Sequence, residues 1–143
     1  VGNRIFGCDD CLAICPWNKF ASQANEQKLA AKAGTNLPPL DQLLLLDDAK
    51  FRHYFNGTPV RRAGYDRFMR NILIAAGNSD DTALVPLVRA YLDHKTGVVR
   101  AMAVWALSQL MEQHAWTTLK FQYLPAETDE TVRAEWDDGQ HFI

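Results

Sequence analysis

Tyr65-Asp66-Arg67-Phe68-Met69-Arg70-Asn71-Ile72-Leu73-Ile74-Ala75-Ala76 and, 34 residues further on, Val99-Arg100-Ala101-Met102-Ala103-Val104-Trp105-Ala106-Leu107-Ser108-Gln109-Leu110 share one apolar spacing. Tyr65, Phe68, Met69, Ile72, Leu73 and Ala76 fall at i, i+3, i+4, i+7, i+8 and i+11, and Val99, Met102, Ala103, Ala106, Leu107 and Leu110 repeat the set. That spacing lines six side chains along one face of a 3.6-residue helix. The Met and aromatic residues on these stripes read as core. Gly77-Asn78 stops the first helix. Ser79 is placed to cap the next, with Asp80 and Asp81 in its first turn, and Pro86 is expected to kink it. Thr131-Val132-Arg133-Ala134-Glu135-Trp136 echoes Val98-Val99-Arg100-Ala101 at an offset of 33 residues, and Asp137-Asp138-Gly139 is expected to cut that echo short. Helix pairs repeating at this interval predict an α-solenoid, in which each pair buries its face against the next.

The segment Gly77 to Leu110 resembles a HEAT-type repeat: a Gly-Asn stop, an Asp at a helix start, Val-Pro, then Val-Val-Arg and Trp-Ala-Leu on the second helix. Upstream, Pro38-Pro39 suits the entry of a helix over Leu40 to Leu46, because proline lacks the donor that a first turn leaves unused. Asp47 and Asp48 can cap a second short helix through Tyr54, which Asn56-Gly57 ends. Residues 1–36 have a different grammar. They are turn-rich and hold all three cysteines. Asn25 to Ala33 reads as a short polar helix or linker, broken by Gly34-Thr35-Asn36. The expected organisation is therefore a turn-rich unit over 1–36 and a helical repeat unit over 37–143, mainly α.

The 143 residues are 48 % hydrophobic and 22 % charged, with a net formal charge of −2, which excludes disorder, collagen-like repetition and a disulfide scaffold. No apolar run approaches the roughly 18 residues of a membrane span. Val1-Gly2-Asn3-Arg4 is not followed by an apolar segment, so no secretory signal is read. The absence of an initiator Met and the early cysteine motif lead us to expect a fragment of a longer cytoplasmic protein. Charge is segregated. Lys50, Arg52, Arg61, Arg62, Arg67 and Arg70 face one acid, Asp66, between residues 50 and 70, whereas residues 112–138 hold seven acids against Lys120 and Arg133. A basic middle can hold a polyanion even when the whole chain is acidic, although a solvated helix face explains the same charges.

Cys8, Cys11 and Cys15 lie in Gly7-Cys8-Asp9-Asp10-Cys11-Leu12-Ala13-Ile14-Cys15-Pro16. The C-x2-C-x3-C-P spacing reproduces the last three cysteines of the bacterial ferredoxin run. A 4Fe-4S cluster needs four converging thiolates, and closely spaced cysteines on a tight loop supply two or three of them. In that run the first cysteine would fall at position 5, which is Ile5, so further ligands are expected upstream. Zinc is a weaker reading, because His53, His94, His114 and His141 lack the spacing of a ligand pair. A disulfide framework and a thioredoxin-like C-x-x-C fit the surrounding sequence poorly.

Gly2-Asn3-Arg4-Ile5-Phe6-Gly7-Cys8-Asp9-Asp10-Cys11, then Cys15-Pro16-Trp17-Asn18-Lys19-Phe20, resembles the second cysteine motif of the epoxyqueuosine reductase family. The likeness continues at Pro59-Val60-Arg61-Arg62-Ala63-Gly64-Tyr65-Asp66-Arg67-Phe68-Met69-Arg70-Asn71 and fades beyond Trp116. The resemblance implies the end of a two-cluster ferredoxin-like iron–sulfur domain followed by a HEAT-like domain that helps hold tRNA. It implies that Cys8 and Cys11 ligate one 4Fe-4S cluster with upstream cysteines and that Cys15 ligates the other. It places cobalamin and the catalytic residues in a domain outside this chain, where the epoxide of epoxyqueuosine is reduced at the wobble position of tRNA. No catalytic residue is assigned here.

Arg67, Arg70 and Asn71 fall at i, i+3 and i+4 opposite the apolar stripe, and Arg61 and Arg62 precede that helix. In the family context these five residues form the expected surface for the phosphates of a tRNA anticodon arm, positioning the RNA rather than reading its bases. Lys50 and Arg52 are candidates to extend it. A monomer suits an enzyme that embraces an RNA arm, and the electron donor is not legible. The competing function is a non-catalytic ferredoxin-like electron-transfer module fused to a HEAT-type interaction scaffold. A HEAT-type scaffold with a structural metal at its start is a further alternative.

Overall fold

Apolar side chains at helical spacing can leave water only by packing helix against helix, and the computed structural model does this between residues 40 and 138. It describes residues 4–7, 9–20 and 38–139. The segment Asn25 to Ala33 and the expected boundary after residue 36 lie outside the described residues, as does Cys8. Helices α1 (Asp10–Ala13), α2 (Leu40–Leu44), α3 (Asp48–Tyr54), α4 (Val60–Ala63), α5 (Tyr65–Gly77), α6 (Val85–Arg89), α7 (Gly97–Leu110), α8 (Gln113–Tyr123) and α9 (Glu130–Asp138) are arranged in that order. There is no strand among the described residues, and no helix is long and apolar enough to cross a membrane.

Local signals explain most boundaries. Asp47 caps α3, its carboxylate accepting from the Lys50 amide at 2.7 Å. Gly57 and Gly64 have φ of 73° and 83°, and Gly64 turns the chain between α4 and α5. Two local expectations change. Asp81 rather than Ser79 caps the 3-10 turn after α5: it accepts from the Ala83 amide at 3.0 Å, while the Ser79 hydroxyl donates back to the Ala76 carbonyl at 2.6 Å. Pro86 does not kink a helix. It lies in the first turn of α6, where a missing N–H costs nothing. The segment is instead divided into a 3-10 turn over Thr82–Leu84, α6, and a second 3-10 turn over Ala90–Asp93.

The two apolar stripes meet. Phe68, Met69, Ile72, Leu73 and Ala76 of α5 and Val99, Ala103, Ala106, Leu107 and Leu110 of α7 are buried together, and α5 packs chiefly on α7. α7 is buried on a second side as well, where Ala101 and Val104 are fully covered. α9 packs there through Val132 and Trp136. The third echo is thus a true helix, and it runs through Asp137 and Asp138 to Gly139. Its Asp129 cap accepts from the Thr131 amide at 2.9 Å. Trp136 stacks on Trp116 of α8 with ring centroids 4.8 Å apart and closes this end of the core.

Two tyrosines fasten the α2 end to the rest of the helical core. The Tyr65 hydroxyl donates to the Leu46 carbonyl at 2.8 Å, and the Tyr91 hydroxyl donates to the Leu44 carbonyl. Burial raises the pKa of both phenols. Arg100 is a second hub, linked to the tyrosines through His94, whose ring lies 6.2 Å from Tyr65 and 6.1 Å from Tyr91. Its Nε and Nη2 donate to the Glu127 carboxylate, both at 2.9 Å, and its Nη1 donates to the His94 carbonyl at 2.8 Å. Glu127 also accepts from the Thr128 and Asp129 amides at 2.9 Å. The Arg100 hydrogen bonds are the largest cause holding its pKa below the usual carboxylate range, with the backbone amides adding to them.

Two outcomes are expected. At Gly77, a Cβ would stand 2.5 Å from a Trp105 ring carbon and 3.0 Å from the Ala106 Cα. The ring can yield; the backbone of α7 cannot. Gly77→Ala should therefore destabilise by about 1–2 kcal/mol despite alanine's better helix propensity, seen as a lower urea midpoint at unchanged slope. The Glu127 contribution, with its folded pKa depressed, is fully present above its unfolded pKa and is lost as pH falls through the folded one. The stability gap between wild type and Glu127→Gln should accordingly be widest near pH 7 and close towards about pH 3 in denaturation series, the range below an ordinary glutamate pKa of about 4.3.

Candidate functional site

The cysteine segment turns back on itself before its first helix. Gly7 and Asp9 both have positive φ, 68° and 54°, and Asp10 opens α1. The Arg4 guanidinium pairs with the Asp10 carboxylate and bridges that turn. Cys11 is exposed on α1, Cys15 is half-buried just after it, and both thiols are free. The Cys15 carbonyl accepts from the Asn18 amide at 3.0 Å, starting the 3-10 turn Pro16–Phe20. Trp17 is 73 % exposed, so it is not a core residue of this chain; Phe20, packed 5.6 Å from it, and Ile14 are exposed too.

Thiolates are the ligand type an iron–sulfur cluster requires. Cys11 and Cys15 fit that group in kind, since neither is consumed by a disulfide. Two thiols supply only part of the four-thiolate set that such a cluster needs. Among the described residues no group of three or more His, Cys, Asp or Glu side chains is placed to hold a metal ion.

The basic residues sort into two sets. Lys50 and Arg52, candidates to extend the patch, are paired with local acids: Lys50 Nζ lies 3.4 Å from Asp47, and Arg52 Nε donates to Asp48 at 2.8 Å. Arg61, Arg62, Arg67 and Arg70 make no ion pair among the described residues. The first three are exposed and Arg70 is half-buried. Arg61 donates to the Asn56 side chain. Arg62 and Arg67 line a surface cleft of about 680 Å³ together with Tyr65, Asp66, His94 and Lys95. Arg61 and Arg62 line a second cleft of about 580 Å³ with Asn56, Gly57, Thr58 and Pro59, so Arg62 belongs to both.

Sequence reasoning misses Lys95. It reaches the cleft because Thr96 Oγ1 donates to the Asp66 carboxylate at 2.8 Å and because Arg100 holds the His94 and Lys95 carbonyls. No sequence signal links residues that far apart. Asn71, expected on an open face beside Arg67 and Arg70, is half-buried. Its Nδ2 donates to the Ile5 carbonyl at 2.7 Å, so the cysteine segment itself covers part of that face.

These features define an all-α protein with a cysteine-bearing turn tied to one helix and, on and before that helix, arginines that make no ion pair among the described residues. No family model matches the chain. It is 42 % identical over 112 residues to an epoxyqueuosine reductase of Xanthomonas campestris pv. campestris, over 76 % of this chain and 31 % of that protein. It is 40 % identical over 117 residues to one of Alicycliphilus denitrificans, over 76 % of this chain and 32 % of that protein. A solved structure of epoxyqueuosine reductase with a tRNA-Tyr epoxyqueuosine-modified tRNA stem loop superposes with a TM-score of 0.86 at 25 % identity, covering 96 % of this chain and 37 % of that one. The chain is homologous to the epoxyqueuosine reductases, and it spans about a third of the length of the curated relatives it matches.

Proposed function

We propose that this chain is the C-terminal part of an epoxyqueuosine reductase, a cytoplasmic oxidoreductase that converts epoxyqueuosine to queuosine in tRNA. In this reading Cys8 and Cys11 ligate one 4Fe-4S cluster and Cys15 another, each completed by cysteines outside the chain. When bound, such clusters supply single-electron transfer towards a cobalamin centre that also lies outside it. Arg61, Arg62, Arg67 and Arg70 neutralise phosphates of the anticodon arm and hold it in register. The observation that carries the reading is the bond from Asn71 to Ile5, which seats the cysteine turn on α5, the helix that bears Arg67 and Arg70. Reducing centre and RNA contacts then share one rigid support. The relative solved with a modified tRNA stem loop supports the same partner.

Two measurements on the intact protein test this. Arg61→Ala with Arg67→Ala should weaken binding of a tRNA stem loop and reduce the salt dependence by about two units of slope at most. An unchanged slope removes both residues from the interface. Cys15→Ala and Cys8→Ala should damage different clusters, read as distinct losses in the low-temperature paramagnetic resonance spectrum. Identical losses overturn the split-ligand assignment, and iron–sulfur protein without cobalamin favours the electron-transfer module with a helical scaffold.

A further inference from the structure

Asn71 and Ile5 are 66 positions apart, yet they make the hydrogen bond that ties the cysteine segment to the repeat. Both ends of the Asn71 amide are engaged. Its Oδ1 accepts from Arg70 Nε at 3.1 Å and from Arg70 Nη2 at 3.0 Å, while its Nδ2 donates to the Ile5 carbonyl at 2.7 Å. The guanidinium settles which way the amide points. Turned over, the amide would set its NH2 against two donors and its oxygen against a carbonyl. The side chain of Ile5 adds an apolar anchor by packing against the core. Immediately downstream come the left-handed residues Gly7 and Asp9, then α1 with Cys11. The fastened point therefore sets the direction in which the turn begins.

We propose that Asn71, oriented by Arg70, is a positioning residue that docks the cysteine turn on α5. The consequence for a metal centre rests on the reading of these cysteines as cluster ligands; the docking itself does not. Arg70 has five N–H groups and uses two on Asn71, so a phosphate oxygen can share the same guanidinium without displacing the amide. Asn71 is thereby moved from the expected RNA-contacting set to the support of the cysteine turn.

The test is amide hydrogen exchange on the intact protein, with iron content and paramagnetic resonance read on the same samples. In Asn71→Ala, exchange across residues 4–15 should rise roughly five- to tenfold, the effect of losing one such hydrogen bond, while α7 stays protected. Asn71→Asp fills the same space and keeps Arg70, but it presents an acceptor to the Ile5 carbonyl. It should loosen the segment at least as much and shift the resonance line shape. If exchange across residues 4–15 matches wild type in both variants, the docking role is overturned, whatever the iron content. If wild type holds no iron but exchange rises in the variants, the cluster reading fails and the docking role stands.

Discussion

The structure depends on the burial of α7 on two sides. A helix with one apolar stripe covers one neighbour; α7 adds Ala101 and Val104 to its stripe and so accepts α5 on one flank and α9 on the other. Close approach on the α5 side favours a residue without a side chain at Gly77, where a Cβ would press on the Trp105 ring and lie 3.0 Å from the Ala106 Cα. On the α9 side Arg100 reaches out of the same helix, holds Glu127 with two bonds and gathers the turn at His94 and Lys95. Apolar contact on the helix and a saturated ion pair at its edge act together, because the carboxylate also receives two backbone amides and leaves little unsatisfied.

That frame decides what the candidate site can do. α5 lies between the core and the cysteine turn. Its inward face buries the stripe, its flank holds Ile5 through Asn71, and its exposed positions carry Arg67 and, half-buried, Arg70. Arg67 and Arg70 stand on that helix itself, and the segment leading into the cysteine turn is tied to it at Ile5. The acids near the arginines are partly spoken for. Asp47 and Asp48 neutralise Lys50 and Arg52, and Asp66 accepts from Thr96. Arg62 and Arg67 share one cleft with these three acids, Arg52 and Lys95, and Arg61 and Arg62 border the adjoining one.

Legibility differed by the range of the interaction. The stripes of α5 and α7, the Asp47 cap and the stop after Phe55 were all readable, because each is settled within a few residues. Pro86 and Ser79 misled for a related reason. Each has two local roles, and packing of Leu84 and Val88 into the core selected a short helix beginning at Val85 over a longer kinked one. The acids of the stretch after Glu127 carry no functional reading in sequence terms. In three dimensions Glu127 and Asp129 have structural tasks, at the Arg100 hub and the cap of α9.

By itself the sequence determined helix against helix and the cysteine spacing, because periodicity and spacing are properties of neighbouring residues; the kinship with epoxyqueuosine reductases rests instead on the likeness of whole motifs. Only the tertiary structure decided which polar residues of α5 face solvent and which face the chain's own amino-terminal segment, that Lys95 joins the arginine edge, and that α7 has two buried flanks. Each of these depends on which distant segment comes to lie alongside a helix. A helical period marks the apolar face to be covered, but it carries no record of what covers the others.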